Sequence, residues 1–184
     1  MQRWELVVQR REQQVNATGR CRTVGSYQVY HDGIAVDGLS GTTAEPPGPG
    51  DNTIRGKNRR CIEAGSYPLM TSDGPRYLTW GYREDPALRA GMPGLRLGET
   101  GDRTDILIHP GKNAFLSSTG CINLCMRLPD SRERINYAGS RRRVISLIDD
   151  LKGFVGAGFP PRNGQPIDCA WVTIEDASGV AETC

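Results

Sequence analysis

Ile106-Leu-Ile-His-Pro-Gly-Lys-Asn-Ala-Phe-Leu-Ser-Ser-Thr-Gly-Cys-Ile-Asn-Leu-Cys125 opens as an apolar run and closes on a Gly-Cys step before another apolar residue. The run Ile106 to Ile108 reads as a buried strand, and His109 falls at its end. Cys121 follows twelve positions later, behind Gly120. One short segment thus carries a candidate base and a candidate nucleophile. A thiol attacks as its thiolate, and an ordinary pKa of about 8.5 leaves little of it ionised at neutral pH, so a neighbouring imidazole has a clear task. His31, the other histidine, sits at the apparent turn His31-Asp32-Gly33, which makes His109 the stronger candidate for the base; the other reading of a single Cys and a single His in an apolar strand region is that both are packing residues. Backbone amides around Ser118, Thr119 and Gly120 are candidates for an oxyanion hole.

Outward from this segment the chain predicts short strands separated by turns. Trp4 to Val8 with its charged continuation, Cys21 to Val36 folded back at Asp32-Gly33, Cys61 to Met70 with a bend at Gly65, Tyr77 to Trp80, Leu95 to Leu97, Asp105 to His109, and Cys169 to Ile174 all read as strands. The stretch 38–57, with Glu45-Pro-Pro-Gly-Pro-Gly, reads as a long loop. A helical turn is predicted around Ala87 to Ala90, and a helix start at Asp130 to Glu133. From Ser140 onward Val144, Leu147, Ile148 and Leu151 recur at helical spacing, predicting an amphipathic helix that stops near Gly153 to Gly156, with Arg141, Arg142 and Arg143 as its solvated face. The fold class expected is mostly β (α+β), with one amphipathic helix after Cys121.

With 184 residues, 37% hydrophobic residues, 23 Gly and 12 Pro, the chain fits one loop-rich domain over residues 1–184. A net charge of +2 gives no strong nucleic-acid footprint, although Arg141, Arg142 and Arg143 make one local basic cluster. No window is apolar enough for a membrane span. The opening residues turn charged after three apolar ones, so no signal peptide is evident. Six cysteines favour an oxidising place of action, and with Cys121 as a free nucleophile at most two intramolecular disulfides remain. Two histidines without metal-ligand spacing make a zinc hydrolase a poor fit, and neither metal nor cofactor is expected. A papain-like peptidase places its Cys before its His, whereas no His follows Cys121.

Ile108-His109 followed by Ser118-Thr-Gly-Cys-Ile-Asn123 resembles the active-site signature of the YkuD-type L,D-transpeptidases. In that family a strand ending in Ile-His-Gly precedes Ser/Thr-His-Gly-Cys, an apolar residue and Arg or Asn. Glu63-Ala-Gly-Ser-Tyr-Pro68 resembles the upstream Thr-Pro-x-Gly-x-Tyr element, so the likeness spans roughly Cys61 to Asn123. Three departures stand out: Thr119 occupies the place of a second His, Pro110 replaces a Gly, and the His109-to-Ser118 interval is short.

The resemblance implies an L,D-transpeptidase-like β-sandwich or partly open barrel and a substrate in the tetrapeptide stems of peptidoglycan. Cys121 matches the nucleophile and His109 the base; Ser118, Thr119, Gly120 and Asn123 match the motif's positioning residues. The reactions implied are L,D-transpeptidation, L,D-carboxypeptidation and D-amino-acid exchange. Action in the periplasm or cell wall without an evident signal peptide suggests an antibacterial effector injected into a target cell, with an immunity protein as its partner. The competing expectation is a cysteine-stapled cell-wall or partner-binding module, in which Cys121 is tied up in a disulfide to Cys125 or elsewhere.

Overall fold

The computed structural model describes residues 2–53, 59–85, 87 and 90–176. Ten strands and one long helix follow in the order β1 (Trp4–Val15), β2 (Cys21–His31), β3 (Ile34–Glu45), β4 (Gly65–Thr71), β5 (Tyr77–Leu78), β6 (Met92–Pro93), β7 (Leu95–Leu97), β8 (Leu107–Pro110), β9 (Ile122–Cys125), α1 (Tyr137–Val155) and β10 (Pro166–Glu175). Eight strands close into a barrel in the order β1-β10-β4-β7-β8-β9-β3-β2. The mostly β class is therefore observed. The ring is closed rather than partly open, because the first strand pairs with the last: β1 runs parallel to β10, from Trp4 opposite Ala170 to Gln9 opposite Glu175. Such a pairing removes both free edges of the sheet.

The barrel interior follows the period of two that a strand imposes. Trp4, Leu6 and Val8 on β1, Val29 on β2 and Val172 on β10 are each fully buried in one apolar cluster. Burying side chains of this size stabilises by roughly 1.5–3 kcal/mol each. Arg10 continues the inward series, and a charge there requires a partner. Its Nε and Nη2 donate to the two carboxylate oxygens of Glu45 at 3.0 and 2.8 Å, and Nη2 also donates to the Ile62 carbonyl at 2.7 Å. Burial alone would pull the Arg10 pKa down, but Glu45 overrides it and keeps the guanidinium charged. A bulge between Arg10 and Glu12 then shifts the register. Opposite it stands Gly25, where a Cβ would lie 2.4 Å from the Gln9 carbonyl oxygen.

The turn at Asp32-Gly33 is present as predicted, with φ of 51° and 82° at its two residues. The predicted loop over 38–57 is not a loop at its start: β3 extends through Glu45, with Thr42, Thr43 and Ala44 paired to β9. This strand is held by backbone bonds on both sides while much of it faces outward, so it lacks an apolar period. Tyr77 to Trp80 is not a neighbour of β4 in the barrel; β5 pairs parallel with β6 in a separate two-stranded piece. In the predicted helical turn at Ala87 to Ala90, residues 88 and 89 lie outside the described residues.

The predicted helix start at Asp130 to Glu133 is a turn, closed by the Arg132 amide donating to Asp130 Oδ1 at 2.8 Å. The helix starts later, at Tyr137, because the Asn136 side chain caps it by accepting from the Gly139 amide at 2.7 Å. Val144, Leu147, Ile148 and Leu151 are buried in the barrel cluster, as their spacing requires. The arginines are not a solvated face. Arg141 is buried and donates to the Arg83 carbonyl, Arg143 donates to Tyr27 Oη and to the Ser40 carbonyl, and Arg142 alone is exposed. No helix among the described residues is long and apolar enough to cross a membrane.

Candidate active site

Strands β8 and β9 lie side by side and parallel, with Ile108 opposite Ile122 and His109 opposite Asn123. Ile108, Ile122 and Leu124 point into the barrel cluster. Leu107 and Cys121 belong to a different group outside the barrel, with Tyr77, Met92 and Tyr137. By alternation His109 shares the face of Leu107, so His109 and Cys121 project from the same face on adjacent strands, two residues out of step. Strand spacing and rise put their Cα atoms about 8 Å apart. Both line one cleft of about 580 Å³, together with Ser118, Thr119 and Gly120.

The imidazole is almost fully buried and its orientation is fixed. Nδ1 lies 2.9 Å from the Pro110 carbonyl oxygen, an acceptor, and 3.3 Å from Asn123 Nδ2, a donor; the shorter contact favours the proton on Nδ1, which leaves the lone pair on Nε2. Nε2 makes no hydrogen bond among the described residues. Tyr77 stacks on the ring with centroids 4.2 Å apart and planes at 30°. Burial pushes the His109 pKa down to about 4, with the Pro110 carbonyl opposing the shift. At neutral pH His109 is an uncharged base.

Cys121 is a free thiol, half-buried one residue before β9. Burial pushes its pKa up to about 11, against the pull of the Leu107 amide and of Arg103. Sγ donates to the Asp105 carbonyl at 3.5 Å, and thiol and imidazole are not hydrogen-bonded to each other. The resting pair is therefore neutral on both sides. The Leu107 amide and Arg103 are the groups that favour a thiolate at this position.

Arg103 and Tyr77 are the residues that the sequence alone leaves out. Arg103 is buried; its Nη1 donates to the Cys61 carbonyl at 2.9 Å and to the Asp51 carbonyl at 3.3 Å. Its Nη2 lies against Gly120, where a Cβ would come within 2.1 Å of it. Glycine precedes the cysteine because a cation occupies the space of a side chain. The one available signal was an arginine in a turn just before the central strand, and nothing in the spacing ties it to residue 120.

The remaining motif residues have separate places. Ser118 Oγ donates to the Cys121 carbonyl at 2.7 Å and so fastens the loop to Cys121. Thr119 is exposed on the cleft wall. Asn123 is fully buried beside His109 and does not line the cleft; its Nδ2 donates to the His109 carbonyl at 3.1 Å, while its Oδ1 has no partner among the described residues. Ser140 on α1 bridges the two strands: Oγ accepts from the Gly111 amide at 2.8 Å and donates to the Leu124 carbonyl.

Cys61, Cys121, Cys125 and Cys169 are free thiols, whereas Cys21 is disulfide-bonded. A bridge from Cys121 to Cys125 is absent, as expected for residues spaced four apart along an extended strand, roughly 13 Å. Among the described residues no cluster of His, Cys, Asp or Glu could hold a metal ion. Fold and site together define a closed β-barrel protein with a thiol and a tautomer-fixed imidazole in one cleft. Comparison with protein-family models, curated proteins and solved structures finds no match to this chain.

Proposed function

We propose that this chain is an L,D-transpeptidase-like cysteine acyltransferase, with a fold of YkuD type, acting on the tetrapeptide stems of peptidoglycan. The observation that carries the reading is the parallel register of β8 and β9, which turns a His twelve residues before a Cys into a pair on one face of one cleft. The order of the motif elements along the chain supports it independently.

In the mechanism, Cys121 Sγ attacks the carbonyl of the stem's third residue as His109 Nε2 takes the thiol proton. Negative charge then grows on the carbonyl oxygen, where the backbone at Thr119 and Gly120 and the Arg103 guanidinium offer compensation. The bond to the terminal D-alanine breaks, and Nε2–H protonates the departing amine. The acyl group stays on sulfur until an amine exchanges or crosslinks it, or water trims the stem. Throughout, the Pro110 carbonyl holds Nδ1–H and stabilises the transient imidazolium.

Incubation of tetrapeptide-stem muropeptides with the protein and with Cys121→Ala, followed by mass analysis, tests the reading. D-alanine release by the protein and none by the variant is expected; equal release by both, or release by neither, overturns it. The reading places the action in the periplasm or cell wall, as an effector delivered into a target cell, with an immunity protein that covers the cleft. The alternative, a binding module without catalysis, has one observation in its favour: the thiol is directed at the Asp105 carbonyl and not at His109.

A further inference from the structure

The cleft that holds Cys121 does not end at the loop over it. A second hollow, also about 580 Å³, adjoins it and shares Arg20 and Ala114 as common wall. Arg20, Arg76, Arg103 and Lys112 line the first; Arg20, Arg132 and Arg134 line the second. Against these six cations the two walls offer a single carboxylate, Asp105. The whole chain carries a net charge of only +2, so positive charge is concentrated here.

Within the trough the cations differ in how free they are. Arg132 is neutralised by Asp130 at 2.8 Å, and Arg103 is held in place beside Gly120 by the Asp51 and Cys61 carbonyls. Arg20, Lys112 and Arg134 are exposed, and their side chains make no hydrogen bond or ion pair among the described residues. These three flank the path from the nucleophile into the second hollow: Arg20 in the turn before β2, Lys112 just after β8, Arg134 before α1. Unpaired cations along a concave track raise the local concentration of anionic ligands and offer their carboxylates charge-assisted hydrogen bonds.

We propose that this cation-lined trough selects stem peptides whose side carboxylates are free, so that converting a stem carboxylate to a carboxamide moves the peptide outside the enzyme's preferred range. This specificity rests on the acyl-transfer reading for its catalytic consequence, though not for binding. A stem peptide extends well beyond the scissile carbonyl, and the second hollow receives the carboxylate farthest from it, with Arg20 and Arg134 as its partners. An amide keeps the size and shape of that group but removes its charge, so shape alone predicts no discrimination.

Two matched tetrapeptides, differing only in a free or amidated glutamate α-carboxylate, test the proposal in two assays. Turnover is measured with the wild-type chain, and binding is measured by titration onto Cys121→Ala. Amidation is expected to raise KM about five- to tenfold with little change in kcat, and to weaken binding by the same factor. Both effects should shrink in 0.5 M salt, a concentration chosen to screen exposed charges. The double variant Arg20→Ala/Arg134→Ala, confined to exposed positions, should reduce the difference between the two peptides to less than about twofold. Equal binding of the two peptides by Cys121→Ala overturns the trough proposal whatever the turnover. Tighter binding of the free-carboxylate peptide with no turnover of either peptide leaves the trough standing and removes the acyl-transfer reading.

Discussion

At the scale of single residues the site is defined by two pKa values pushed apart by burial. The thiol at about 11 and the imidazole at about 4 are both neutral between those limits. Site-resolved haloacetamide labelling of native Cys121 should therefore rise about tenfold per pH unit from 7 to 10, with no plateau near the ordinary thiol value. A plateau at about pH 8.5 would show an ordinary, solvated thiol. His109 has a second consequence, for stability. An unfolded histidine takes its proton near pH 6.5 and the folded one only near 4, so the unfolded chain binds more protons in that window. The stability that a neutral His109 confers is complete above pH 6.5 and is lost as pH falls toward 4, by roughly 3 kcal/mol. Denaturant titrations against His109→Gln should show that slope in the wild type and its loss in the variant. Gly120→Ala should cost about 2–4 kcal/mol, because its methyl displaces a buried guanidinium from beside the thiol. A fall in melting temperature below about 3 °C would refute the close packing of Arg103.

Among the elements, the loop between His109 and Cys121 is held by a residue far away in sequence. Arg22, fully buried on β2, donates through Nη1 to the Phe115 and Glu133 carbonyls at 2.8 and 2.9 Å and through Nη2 to the Asp130 carbonyl at 2.9 Å. Its guanidinium also lies 4.3 Å from the Phe115 ring centroid. Arg22→Met should destabilise by about 3–5 kcal/mol and speed amide exchange over residues 112–120 and 130–135; exchange that stays unchanged over 112–120 would mean that the loop is held otherwise. How legible each element was depended on whether burial wrote a period into it. β1, β4 and β10 alternate visibly, and the Asp32-Gly33 turn announces itself through its backbone needs. β3 past Val36 does not, since Gly38, Ser40 and Gly41 are exposed or half-exposed and the strand is stitched by its neighbours' backbones. The order of His109 and Cys121 could be read directly, whereas Arg103 reaches the site from the turn before β8 and Tyr77 from a separate two-stranded piece, and no spacing in the sequence records either approach.

For the molecule as a whole, closure depends on polar contacts as well as on the apolar interior. At one end Asp150 of α1 accepts from Trp4 Nε1 at 2.7 Å and lies 2.9 Å from His31 Nε2, joining helix, first strand and hairpin. Farther along the barrel the Arg10–Glu45 pair links β1 to β3 with both side chains nearly free of solvent. Arg10→Met alone leaves a buried carboxylate without its cation and should cost about 3–5 kcal/mol, while Arg10→Met/Glu45→Leu should recover most of that loss. Additive losses in the double variant would show that the pair is not a unit. The parallel β8–β9 register sets a different kind of freedom. Because the ladder sets the strands beside His109 and Cys121, the exposed middle of the connection over them can change while Ser118 and Gly120 keep Cys121 in place. Doubling a flexible connection costs only about 0.6 kcal/mol in closure entropy. The barrel is thus a chassis on which new docking preferences can be installed by exchanging only the exposed residues of that connection, such as Lys112 and Asn113.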